Sequence, residues 1–536
     1  MRKAASFVIL FLLSTAVFAA RFYVDPSVGD MNNDGSSASP WSTLADVISQ
    51  DKIESFHFLP LPYSASSQLT LFNQGAPVQA GDTLILRNGL HGNVYIRGYF
   101  NAKPIIVMAE AGHSPILNNL HVVAGRNWVF QGLFISSEPY GNYLNNKLVF
   151  LESHGWHGSC SQIEVSDCQI YSTDTPWSSA NDWLTKVSSG IFVKGDSVLL
   201  KNNKITNVSF GIQLVGDSNQ AIGNDIVNFS SDGARILGSS NLFDGNLIKN
   251  CYKVDDNHDD GIQSFTTTGL VVDNNIVSNN IILNYDDSNQ PLLGAMQGIG
   301  CFDGFYNNWD IVNNLIVVDH WHGISFYGAK NCSIINNTVL DPTPNITPGP
   351  SWIKVTDKKN GEPSSGCIIK NNVANSFAID DGVQGNNMVL STLVDYQNHF
   401  VDPTQHDFNL LSTSTLVDAG DAIVAPMYDI NGTSRTNGLG PDIGAYEYNF
   451  MVGDVESLSE NKIVITPNPV SDYINLVGNV KGNIYVFTAD GLLVEEVKGN
   501  GAITKISLGD LPSGVYFIAF RNAYKGVLKV EKVIIE

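Results

Sequence analysis

Lys253–Phe265 reads KVDDNHDDGIQSF and packs a lysine, a histidine, a glutamine and the four carboxylates Asp255, Asp256, Asp259 and Asp260 into one short run. These types suit proton transfer: an imidazole takes a proton, a carboxylate orients it, and a cation steadies a developing anion. Asp232 and Arg235 lie upstream, and Gln297 and the run His320-Trp321-His322 lie downstream. The guanidinium fork of Arg235 matches a carboxylate or sulfate group. An acid group neutralised in that way leaves the proton on its neighbouring carbon more acidic. His258, His322 or Lys253 can then serve as the base, and a second of them can assist a leaving oxygen. Asp259 or Asp260 paired with Asp232 is the alternative, an acid and base for hydrolysis. Asp255, Asp256 and Asp259 are also candidate ligands for Ca²⁺, a hard cation that takes carboxylate oxygens, with Asp286 and Asp287 as further donors. No cofactor is otherwise implied. Each group has a plainer use, since Asp before Gly is common at turns and a lone His is usually surface or packing.

The elements that must position these groups are repeats. Apolar strands end in Asn at LLKNNKI (Asn203), AIGNDI (Asn224), LFDGNLI (Asn246), LVVDNNI (Asn275), DIVNNLI (Asn314), SIINNTV (Asn337) and IIKNNVA (Asn372). A second series starts on glycine: Gly190, Gly211, Gly233, Gly261, Gly298 and Gly323. Gly190 to Gly211 is 21 residues and Gly211 to Gly233 is 22. A period of that size with short strands and Asn/Gly turns predicts a solenoid, and the lack of a leucine ladder favours a parallel β-helix. Asparagine at such turns tolerates left-handed backbone and can stack in a hydrogen-bonded ladder. Wider gaps, such as Gly261 to Gly298, predict inserted loops.

Aligning the glycines folds the sequence onto itself, because strand side chains alternate between faces. One residue past each glycine stand Ile191, Ile212, Ala234, Ile262, Ile299 and Ile324, and three past stand Val193, Leu214, Ile236, Ser264, Cys301 and Phe326. These columns are expected to face inward. Two past stand Phe192, Gln213, Arg235, Gln263, Gly300 and Ser325, expected to face outward. The chemical groups therefore gather on one side over about four rungs spaced at ~4.8 Å. The expected catalytic set is His258, Asp260, Arg235, Lys253 and His322. The expected substrate-binding set is Asp232, Gln213, Gln263, Gln297, Asp303, His320 and Trp321.

Composition sets the frame. The chain has 536 residues, 43% hydrophobic and only 15% charged, with 48 glycines, which favours short strands and turns. A formal charge of −22 argues against a nucleic-acid partner. Residues 1–20, MRKAASFVILFLLSTAVFAA, have the charged start, apolar middle and small-residue end of a signal peptide. No later run is apolar for long enough to span a bilayer. Six cysteines are too few for a disulfide scaffold; Cys160 and Cys168 are near enough in sequence to bridge, and Cys332 and Cys367 are expected to stack as core thiols. His154, His157 and Cys160 in HGWHGSC have ligand-like spacing, with a plain loop as the simpler reading.

FYVDPSVGDMNNDGSSASPWSTLADVI resembles the N-terminal cap of secreted right-handed β-helix proteins, and the GPDIGAYEY segment resembles their closing segment. The exported region as a whole resembles the pectin-lyase-like superfamily. ITPNPVSDYINL, the PNP at Pro467–Pro469, GVYF at Gly514–Phe517 and the terminal KVII resemble the type A C-terminal sorting domain of the type IX secretion system of Bacteroidetes. The resemblance implies an all-β chain: signal peptide 1–20, right-handed parallel β-helix 21–450 (cap 21–60, closing segment 400–450), linker 451–462, and a small β-sandwich sorting domain 463–536. It also implies delivery to the cell surface or secretion by that machinery, and the chain is expected to be a monomer. DDG at Asp259–Gly261 and HGIS at His322–Ser325 resemble motifs of polygalacturonase-type glycosidases, but no Arg-Ile-Lys follows them. The expected activity is on an acidic polysaccharide: β-elimination by a lyase or the related epimerisation, with paired-Asp hydrolysis or non-catalytic glycan binding as alternatives.

Overall fold

Asparagine pairs turn the chain. The first of each pair takes the left-handed backbone, with φ of 53° at Asn202, 55° at Asn279, 57° at Asn313, 55° at Asn336 and 58° at Asn371. The second points inward and hydrogen-bonds to its counterpart on the next rung. The computed structural model describes residues 19–449 and 464–535, apart from 142, 144, 267–270, 437, 489–492, 510 and 523–525. The expected signal peptide and linker lie outside the described residues. The chain forms two compact units, one made of residues up to Asn241 with Cys251–Asn257 and Pro291–Leu293, the other of Leu242–Asn250, His258–Gln290 and the chain from Gly294.

In the first unit the strand Arg21–Val24 is followed by the short helix Leu44–Ser49, whose Leu44, Val47 and Ile48 are buried, as expected of a cap. Parallel strands then stack in register. Ile191 pairs with Ile212 and Ile212 with Ala234, while Phe192 pairs with Gln213 and Gln213 with Arg235. The inward columns are buried throughout.

The second unit repeats the plan with three strands per turn. One column runs Asp260–Phe265, Gln297–Asp303, His322–Tyr327, Trp352–Thr356 and Ser376–Ile379. A second runs Ile276–Ser278, Asp310–Val312, Ser333–Ile335 and Ile368–Lys370. A third runs Ile281–Leu283, Leu315–Val317, Thr338–Leu340 and Val373–Ala374. The glycine that opens a first-column strand sits against the next rung: a Cβ on Gly298 would stand 2.2 Å from the Gly323 carbonyl oxygen. The closing segment packs Phe400, Phe408, Leu416 and Ile443 onto Leu340 and Val373.

The asparagine ladder runs Asn246, Asn280, Asn314, Asn337, Asn372, Asn387, with each side-chain amide donating to the next side-chain oxygen at 2.9–3.1 Å. Asn203 and Asn224 do the same in the first unit at 2.9 Å. Asn275 is not a member. Its motif, LVVDNNI, instead feeds an inserted three-stranded sheet of Val271–Asp273, Phe305–Asn307 and Ala329–Lys330. The inserted loop after Gly261 thus brings strands of its own. Asn314→Ala should cost about 2–3 kcal/mol, because it strands the backbone and side-chain N–H groups of Asn280 and removes a donor from three further acceptors. A fall in the denaturant midpoint is the readout, and an unchanged midpoint would make the ladder passive.

All six cysteines are buried free thiols, so Cys160 and Cys168 are not bridged. Ser333 pairs with Ile368, which puts Cys332 and Cys367 on adjacent rungs as a thiol stack. The described strands of the last region, Val464–Thr466, Tyr473–Thr488, Leu493–Ser507, Gly514–Asn522 and Gly526–Ile535, form an antiparallel sheet over a core of Ile474, Leu476, Ile484, Ile518 and Val533. The PNP motif has a physical job there. Asn468 donates to the Lys532 carbonyl at 2.8 Å and accepts from the Ile534 amide at 2.9 Å, clamping the terminal KVII strand.

Candidate functional site

The outward column of the second unit and the starts of its strands carry several of the expected side chains. Gln263 pairs with Gly300, Gly300 with Ser325 and Ser325 with Lys354. At the strand starts, Asp260 pairs with Gln297 and His322 with Trp352. Adjacent rungs therefore bring these groups together.

Asp260 is fully buried, with 0% of its side chain exposed, while His258 is 60% exposed. Asp260 Oδ2 lies 3.3 Å from His258 Nδ1 and accepts from Gln263 Nε2 at 3.0 Å. A carboxylate on Nδ1 holds the proton there and leaves Nε2 as the acceptor nitrogen of the ring. Gln297 is buried beside this pair, and its Oε1 has no hydrogen-bond partner among the described residues.

Gly300 is the floor. A Cβ there would stand 2.4 Å from Asp260 Oδ1 and 2.4 Å from the Phe302 ring. Only glycine leaves the carboxylate and the ring where they are. Gly300→Ala should push Asp260 off His258 and, in any reaction that uses this pair, cut turnover at least tenfold, with the melting temperature as control. Normal turnover would show that the Asp260 placement is not needed.

His322 is built differently. Its Nδ1 is 2.8 Å from Ser325 Oγ, and that oxygen accepts from Trp352 Nε1 at 3.0 Å. The buried hydroxyl's own proton then goes to His322 Nδ1, which leaves Nε2–H as a donor. The His322 amide donates to His320 Nδ1 at 3.1 Å, and the two rings stack at 5.2 Å. Burial, reinforced by His320, Lys354 and His258, pushes the His322 imidazole down to about 4. It is neutral at pH 7. Of the three proposed bases, His322 is thus arranged as a hydrogen-bond donor and His258 as an acceptor.

Aromatic rings frame both histidines. Phe302 meets His322 at 4.9 Å and His258 at 6.5 Å. Trp321 and Trp352 lie within 19° of parallel at 6.4 Å. Trp321 is half exposed and anchored by Nε1 to the Gly349 carbonyl at 3.0 Å. Lys354 Nζ lies 5.1 Å from the Trp352 ring and 5.7 Å from the Tyr327 ring. No carboxylate of the described residues is within ion-pair distance of it. Asp303, on the rim, is ion-paired to Lys359 at 2.7 Å, with both side chains exposed.

Most of the remaining expected residues belong to the first unit, while Asp259 belongs to the second. Asp232 is fully buried and accepts from Arg235 Nε at 2.5 Å, and the Arg235 guanidinium lies 4.2 Å over the Phe210 ring. Gln213 is buried beside Arg235 in register. Lys253 is half-buried, and its amide donates to the Leu292 carbonyl at 2.7 Å. Asp255 and Asp256 are exposed, and Asp255 accepts from the Asn257 amide at 2.9 Å. Asp259 is buried. Among the described residues no group of three or more His, Cys, Asp or Glu side chains is arranged to hold a metal ion.

The sequence columns missed Trp352, Lys354, Phe302 and Tyr327. Trp352 and Lys354 sit on a strand that no glycine opens, so the alignment stopped one rung short. The register one rung beyond Ser325 was the available signal.

Residues 189–345 match the family model described as right handed beta helix region, and residues 464–536 match the one described as secretion system C-terminal sorting domain. The chain is a right-handed parallel β-helix protein with a C-terminal sorting domain. Among solved structures, pectate lyase Pel9A is similar at 16% identity over 81% of this chain and 98% of that one, with a TM-score of 0.42. A GH136 lacto-N-biosidase from Eubacterium ramulus is similar at 12% identity, covering 69% of this chain and 68% of that one, with a TM-score of 0.36. The A-module of a mannuronan C-5 epimerase from Azotobacter vinelandii is similar at 11% identity, covering 58% and 91%, with a TM-score of 0.34. No curated protein matches the chain. No helix among the described residues is long and apolar enough to cross a membrane.

Proposed function

We propose that this is an exported polysaccharide lyase that cleaves an acidic glycan by β-elimination at a uronate. The observation that carries the reading is the His258–Asp260 pair, which lies within electrostatic reach of a neutral donor, His322, as does the cation Lys354. Lys354 and His322 Nε2–H receive the uronate carboxylate, and Trp321 and Trp352 offer a face for the sugar ring. His258 Nε2 takes the C5 proton. The C5–H electron pair forms the C4–C5 double bond as the C4–O4 bond breaks. The His258 imidazolium so formed is the available acid, and it returns the proton to the departing oxygen. His322 cannot play that part, because a neutral imidazole donates a hydrogen bond without giving up its proton at pH 7.

Hydrolysis by paired carboxylates fits less well. Asp260 is wholly buried and occupied by His258 and Gln263, so it is not presented to a glycosidic oxygen. The sorting domain supports delivery through type IX secretion to the surface or beyond. Incubation with pectate, alginate, ulvan and glycosaminoglycans is the test. One polymer should yield the ultraviolet absorbance of an unsaturated uronate. New reducing ends without that absorbance would overturn elimination in favour of hydrolysis, and binding with no product would make the protein a glycan-binding surface protein.

A further inference from the structure

The outward face of the first unit carries a ladder of rings. Register pairs Tyr95 with His121, His121 with Phe150, Phe150 with Phe192 and Phe192 with Gln213. Successive ring centroids are 5.2, 4.6 and 5.3 Å apart. The His121 and Phe150 rings are stacked, and Tyr95 is 46% exposed at the end of the row. A structural role alone does not ask for four rings in succession on the solvent face, where polar residues are the default.

The cations are placed with the rings. Lys147 Nζ is 4.9 Å from both the Phe150 and the Phe192 centroids, and the Arg97 guanidinium is 5.9 Å from that of Tyr95. Neither has a carboxylate of the described residues within ion-pair distance. In a chain of formal charge −22, two uncompensated cations on one stripe are selective placement. Glu152, an acid at the ladder, is bound to His121 Nε2 at 3.0 Å. The HGWHGSC loop borders the stripe. His154 and His157 act electrostatically on His121 and Arg97, and Trp156 between them is half exposed.

We propose that this ladder is a binding track for an extended acidic polysaccharide, with sugar faces on Tyr95, Phe150 and Phe192 and acid groups on Lys147 and Arg97. Rungs recur every ~4.8 Å, close to the length of one pyranose unit, so a stretched chain can meet a ring at each step. Rings give affinity for any sugar face, and the cations select anionic chains. The choice of an acidic glycan rests on the reading above, but the track is tested by binding alone.

The test is gel retardation of the full chain in pectate and alginate, with neutral xylan as control. Wild-type protein should be retarded by an acidic polymer and not by xylan. Phe150→Leu with Phe192→Leu keeps apolar volume and removes the faces, and should weaken binding about tenfold. Phe150→Tyr with Phe192→Tyr should restore it, and Lys147→Ala should weaken acidic-polymer binding. Circular dichroism checks the fold of each variant. A Leu pair retarded like wild type, or a wild type retarded by neither acidic polymer, overturns the track. Retardation that depends on the ladder, with no unsaturated product from any polymer, upholds the track and sinks the lyase.

Discussion

His258→Ala is expected to lower kcat on the responsive polysaccharide by about 10²–10⁴-fold, the usual contribution of a positioned general base. The loss should be in turnover, since His258 is 60% exposed and its removal leaves no cavity. Melting temperature should stay within a degree or two of wild type. Asp260→Asn tests the pair from the other side. It keeps the shape and the Gln263 neighbour but cannot hold Nδ1–H with a charge, so it should retain part of the activity that His258→Ala loses. Imidazole added to His258→Ala should recover some turnover, which a purely structural role would not show. Near-normal rates in His258→Ala would overturn His258 as the base.

The ring of isoleucines at 262, 299 and 324 was legible because a strand of period two must bury one face, and glycine fixed the phase. The outward column followed from the same phase, which is why Gln263, Gly300 and Ser325 fell where expected. The limits have equally physical causes. Asp260 shares the parity of the inward-facing Ile262 and Ser264 and is buried with them, and Gly300 on the next rung leaves the space for its carboxylate. A single sequence shows the position of that glycine but not the space it opens. Asn275 reads like a ladder asparagine because Asn-Asn turns look alike locally. Only pairing shows that Asn280 takes the rung between Asn246 and Asn314. The aromatic ladder was hidden by the same dependence on glycine. Phe192 stood in the outward column, but the strand Lys147–Glu152 has no glycine to set the phase that would place Phe150 beneath it.

Lys354→Ala should cost about 10²–10³-fold, and the loss should fall on kcat more than KM. The reason lies in where charge develops. As the C5 proton leaves, negative charge spreads into the uronate carboxylate, so a cation there meets more charge in the transition state than in the bound substrate. Removing one preorganised stabiliser of such an anion costs ~2.7–4 kcal/mol. The aromatic seat of Lys354 on Trp352 and Tyr327 sharpens the effect, because it holds the ammonium in place without offering a competing carboxylate. Lys354→Arg should keep much of the activity, since the charge survives although its shape changes. Lys354→Met keeps the stem that covers the rings and removes only the charge, so it should behave like Lys354→Ala. If Lys354→Met raised KM while kcat stayed at the wild-type value, Lys354 would attract the polymer without assisting elimination. The carboxylate would then need another cation at the moment the C5 proton leaves.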